Sequence, residues 1–70
     1  MTNIEKYEIY LIEQYRLKHG LTAREVYNIF KSRGIFEYIE NTFDALHTIS
    51  AAEVLLDIDA QIIKLDYKGK

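Results

Sequence analysis

The 70-residue sequence has no cysteine, no proline and no tryptophan, and only three glycines. Without cysteine there is no disulfide staple and no thiolate metal site. With no proline and so little glycine there is no loop-rich scaffold, and no glycine-rich loop to cradle a phosphate. No apolar run approaches the roughly 18 residues of a membrane-spanning helix. The opening stretch, Met1-Thr2-Asn3-Ile4-Glu5-Lys6, lacks the basic start and apolar core of a secretion signal. These absences lead to the expectation of a soluble, cytoplasmic protein. The richness in Ile, Tyr, Lys and Asn suits an AT-rich bacterial genome.

What the chain does have is apolar and aromatic mass. Hydrophobic residues make up 49% of it, including six Tyr and three Phe. Its length implies a single helical domain over residues 1–70 with one core. So small a globule buries a modest share of its surface, and large aromatic side chains offset that. The formal net charge is −2, unevenly spread. Through Gly34 the cations Lys6, Arg16, Lys18, Arg24, Lys31 and Arg33 outnumber the acids Glu5, Glu8, Glu13 and Glu25. From Ile35 onward Glu37, Glu40, Asp44, Glu53, Asp57, Asp59 and Asp66 face only Lys64, Lys68 and Lys70. An acidic surface repels nucleic acid and favours basic protein partners.

Helix-start signals recur at Thr2-Asn3-Ile4-Glu5, Thr22-Ala23-Arg24-Glu25 and Ser50-Ala51-Ala52-Glu53. In each, a hydroxyl residue can accept from the backbone three places on, and the Glu there can reach back. Together with the apolar periodicity they predict an all-α, compact four-helix domain, with helices over about 3–19, 22–33, 35–47 and 50–66. In the first helix Ile4, Tyr7, Leu11 and Tyr15 form the main stripe. Ile9, Tyr10, Ile12 and Leu17 lie off it, as in a helix with neighbours on more than one side. Gly20 is placed to end this helix, and Leu21 to staple onto Val26. The second helix buries Ala23, Val26, Tyr27 and Phe30 and is stopped by Gly34. The third buries Ile35, Tyr38, Ile39, Phe43 and Leu46 behind an acidic outer face. The fourth buries Ala51, Val54, Leu55, Ile58, Ile62 and Leu65, and the tail after Asp66 should fray.

Chemistry is thinly supplied. No Ser-His-Asp or Cys-His arrangement is available, and His19 and His47 are the only histidines. His47 is placed to satisfy carbonyls at the end of a helix, and it would reach Glu53 only across the turn. Asp57 and Asp59 look like a carboxylate pair. Two positions along a helix diverge by about 200°, however, so they cannot converge on one ion. The expectation is a non-enzymatic protein without cofactor or metal and without a small-molecule substrate.

Two surfaces remain as candidates. The first is a second line on helix 4, Ala52, Leu56, Asp59 and Ile63, extended by Tyr10 and Leu17 of helix 1. Two faces of helix 4 and most of helix 1 cannot all be buried in so small a domain. Leu56, Ile63, Tyr10 and Leu17 are therefore expected to be apolar contacts to another chain, with Asp59 as a polar anchor. The second is the segment from Lys18 through Val26, which reads like a helix-turn-helix with Thr22, Arg24, Asn28 and Lys31 toward a DNA major groove. Glu25 among those residues and the acidic flanking helices argue against nucleic acid. A structural homodimer through the second line of helix 4 is a further alternative.

The residues also carry a resemblance. The stretches Tyr10-Leu11-Ile12-Glu13-Gln14-Tyr15 and Leu21-Thr22-Ala23-Arg24-Glu25-Val26-Tyr27 come first, followed by Phe30, Gly34 and Tyr38-Ile39. Ala45-Leu46-His47-Thr48 and Asp57-Ile58-Asp59 with Ile62 complete the pattern. The whole, from about Glu8 to Ile63, resembles a family of very short bacterial proteins known as a domain of unknown function. The Leu-His-Thr and Asp-Ile-Asp pieces are its more specific parts. The resemblance implies a gene neighbour similar to an ADP-ribosyltransferase, and so a toxin–antitoxin pair in which the small acidic protein neutralises the toxin by direct binding. It brings no catalytic residues. His47 and Thr48 would close the turn between helices 3 and 4. Ile49-Ser50-Ala51-Ala52 departs from the Gly-containing turn of relatives, which bears on loop contacts with a partner rather than on the fold.

Overall fold

The computed structural model describes residues 2–68, and the side chains of residues 2–64. Its helices are α1 (Asn3–His19), α2 (Ala23–Ser32), α3 (Ile35–Leu46) and α4 (Ala51–Lys68), with no strand among the described residues. None of these helices is long and apolar enough to cross a membrane. The expected core position Leu65 and the tail end Gly69-Lys70 lie outside what is described.

The helix starts follow from the capping chemistry. The Thr2 hydroxyl accepts from the Glu5 N–H at 3.1 Å, and Glu5 accepts from the Thr2 N–H at 2.9 Å. Thr22 and Glu25 repeat this with the same two distances. The Ser50 hydroxyl accepts from the Glu53 N–H at 3.3 Å. Each bond satisfies a donor that the first helical turn leaves unpaired.

The ends are set by glycine and by turn bonds. Gly20 sits at φ +67° and donates its N–H to the Arg16 carbonyl. Gly34, at φ +69°, separates α2 from α3 and passes the chain straight into the next helix. L-residues with a Cβ pay for this left-handed conformation, and glycine does not. At the end of α3, His47 donates from Nδ1, in that tautomer, to the Phe43 carbonyl at 2.6 Å. The Thr48 hydroxyl donates to the Ala45 carbonyl at 2.7 Å. His47 therefore turns back onto α3 and stacks on Phe43, with ring centroids 4.7 Å apart. α4 runs two residues beyond the expected Asp66, to Lys68, with no Gly or Pro in residues 51–68 to interrupt it.

The core is Leu11 and Tyr15 of α1, Val26 and Phe30 of α2, Ile35, Ile39 and Leu46 of α3, and Val54, Leu55 and Ile58 of α4. Tyr15 meets Phe30 edge-on at 5.2 Å, and Phe30 meets Phe36 edge-on at 5.7 Å. α1 is the hub and packs on α2, α3 and α4. Two phenols tie helices together. The Tyr7 hydroxyl donates to the Leu46 carbonyl at 3.1 Å, and the Tyr38 hydroxyl donates to the Asp57 carboxylate.

The face of α2 differs from expectation. Ala23 and Tyr27 are exposed, and Ile29 packs against the core in their place. Val26 and Phe30 fix the inward direction. Tyr27 and Ile29 lie about 80° to either side of that direction, so helical spacing does not separate them and contact with the neighbouring helices selects Ile29.

Candidate functional site

The flank shared by α1 and α4 is built from helical spacing. Tyr10, Gln14 and Leu17 stand four and three residues apart, on one side of α1. Ala52, Leu56, Asp59 and Ile63 do the same on α4. Between the helices lies an open groove of about 540 Å³, lined by Gln14, Leu17, Lys18, Ala51, Ala52, Leu55 and Leu56. Leu17 is 61% exposed and Leu56 63% exposed, so both aliphatic rims stand in water. Tyr10 and Ile63, 47% and 56% exposed, continue the two flanks beyond the groove.

Asp59 has a different environment from its stripe-mates. Its carboxylate meets Lys18 Nζ at 2.9 Å and His19 Nε2 at 3.1 Å, and it accepts from the Tyr15 hydroxyl. Burial raises its pKa, but the hydrogen bonds of Lys18 and Tyr15 and the charges of His19 and Lys18 outweigh burial and hold the carboxyl below its ordinary value. Burial, reinforced by Asp59, pushes the Tyr15 phenol up to about 12. The expected anchor for a partner's cation is thus already occupied from within the chain. It fastens the end of α1 to the middle of α4 beside the groove.

The other sequence-derived positions scatter. Arg24, Asn28 and Lys31 are exposed on the outer face of α2. Thr22 is committed to its cap, and the Glu25 carboxylate stands beside it. Asp57 turns to Tyr38 of α3 while Asp59 turns to α1, so the two carboxylates diverge as helical geometry requires. Among the described residues no three His, Cys, Asp or Glu side chains converge as a metal site would need.

Sequence reasoning missed Gln14, Lys18, Ala51 and Leu55 as lining residues, because three of these read as polar surface or small core positions. It also missed a second groove, of about 220 Å³, lined by Glu5, Glu8, Ile9, Ile12, Tyr27 and Phe36. The available signal was the pair Ile9 and Ile12, which lies off the main stripe of α1 on the side away from Leu17.

Neither the curated proteins nor the solved structures offer a match to this chain. A family pattern does match, over residues 6–64, a span that includes the flanking residues Tyr10, Leu17, Leu56 and Ile63. The chain belongs to the family described as "Protein of unknown function (DUF3791)".

Proposed function

We propose that this protein is a small non-enzymatic binding module that docks on a larger protein through the α1–α4 flank. The observation that carries the reading is the pair of exposed aliphatic rims, Leu17 and Leu56, on either side of an open apolar groove. Large aliphatic side chains in water next to a concave surface are what a protein interface covers. The groove offers few converging polar groups, which a small-molecule site would use to orient its ligand.

The occupant we propose is a larger toxin similar to an ADP-ribosyltransferase, encoded beside this protein and neutralised by it as an antitoxin-like partner. That identity rests on the resemblance to very short bacterial proteins. The excess of acids from Ile35 onward favours a basic partner in general, without marking this flank. The setting for this pairing is the cytoplasm.

Co-expression with the neighbouring gene product tests the proposal. The pair should co-purify at fixed stoichiometry by intact-complex mass. Leu56→Glu with Ile63→Glu should keep the helical circular dichroism and weaken the complex at least about tenfold, a loss of ~1.4 kcal/mol. Unchanged affinity with an intact fold would exclude this face. A homodimer with no heteromeric complex would overturn the antitoxin reading.

A further inference from the structure

The second groove lies on the opposite flank of α1. Glu5, Glu8, Ile9 and Ile12 follow one another at spacings of three, one and three, so they share one side of the helix. Tyr27 of α2 and Phe36 of α3 close the groove, their rings 5.3 Å apart. Ile9 is 54% exposed and Tyr27 47% exposed, so the floor is apolar and wet. At about 220 Å³ it is smaller than the roughly 300–1,000 Å³ of small-molecule pockets, and it suits a protruding side chain better than a metabolite.

Its edge is acidic. Glu5 is turned to its own cap at Thr2. Glu8 stands against Glu40 of α3, and its Oε2 is closed off from solvent with no hydrogen-bond partner. Burial comes first in raising the Glu8 pKa, and Glu40 and Glu5 push the same way, with no cation opposing them. A half-buried carboxylate held beside a second one stabilises any cation brought to it. No third ligand converges with them for a metal among the described residues, so the cation that suits the place is a side chain.

We propose that the groove between α1, α2 and α3 binds a basic amphipathic helix of a partner protein. An aliphatic or aromatic anchor of that helix would sit against Ile9, Ile12, Tyr27 and Phe36, and a Lys or Arg one turn away would meet Glu8 and Glu40. Helix-in-groove recognition joins such an apolar anchor to charge pairing at the edge. This site is independent of the α1–α4 flank, and either can fail without the other.

The test is an amide chemical-shift titration of the full chain with a synthetic Leu/Lys helix of about 14 residues, close to four turns. A control peptide carries Glu in place of Lys. Saturable shifts should centre on Ile9, Ile12, Tyr27 and Phe36 with the Lys peptide alone. Glu8→Gln should weaken binding about tenfold, and Glu53→Gln on α4 should leave it unchanged. Four results overturn the proposal: no saturable shifts, shifts centred on the α1–α4 groove, equal binding of the Glu peptide, or equal weakening by Glu53→Gln. Concentration-dependent shifts at the groove without peptide would do so too, by identifying the occupant as a second copy of the chain.

Discussion

At Asp59 three groups from α1, Tyr15, Lys18 and His19, converge on one carboxylate of α4. Spacing along α4 could show which side Asp59 faces. It could not show what stands opposite, because Lys18 is 41 residues away in sequence. The same holds for Tyr38 and Asp57, whose hydrogen bond crosses between helices. His47 was legible, because its partner is the carbonyl of Phe43 within its own helix. The Asp59 pKa is depressed, so its contribution to stability is present above the unfolded value of about 3.9 and is lost as pH falls through the folded value. Asp59→Asn should therefore lower stability by about 1 kcal/mol near neutral pH and flatten the acid side of the stability profile. The cost stays small because Lys18 and His19 remain about one-third exposed. Urea unfolding at a series of pH values measures both effects. Equal stability of the two proteins at pH 7 would mean that the latch contributes nothing.

At the scale of the element, the helix boundaries were readable because they depend on neighbours in sequence. Thr2 with Glu5 and Thr22 with Glu25 form their boxes within four residues, and Gly20 and Gly34 carry the positive φ that ends a helix. The rotation of α2 was less readable. Val26 and Phe30 agree with two different third members, and only contact with α1 and α3 selects Ile29 over Tyr27. Two substitutions separate local from tertiary contributions. Thr22→Ala removes a cap and should cost about 1 kcal/mol. Gly34→Ala places a Cβ in open space, with nothing within 4 Å, so its cost is the left-handed backbone alone, about 1–2 kcal/mol. Chemical unfolding of each variant measures these values. A much larger loss at Gly34 would point to packing at that corner and contradict the backbone account.

At the scale of the whole molecule, α1 is the organising element. Its inward stripe joins the core, and its two flanks each border a groove: Gln14, Leu17 and Lys18 on the α4 side, Ile9 and Ile12 on the α2–α3 side. The excess of apolar residues on α1 was plain in the sequence, and so was the conclusion that some would remain outside a 70-residue core. Their division between two separate flanks was not, since it depends on where three neighbouring helices lie. The central claim is that the α1–α4 flank is a protein-docking face. Hydrogen–deuterium exchange of the chain, free and in its co-purified complex, tests it most directly. Added protection concentrated around residues 10–18 and 51–63 is the result this account predicts. Protection confined to the outer face of α2, or no change along α1 and α4, would contradict it.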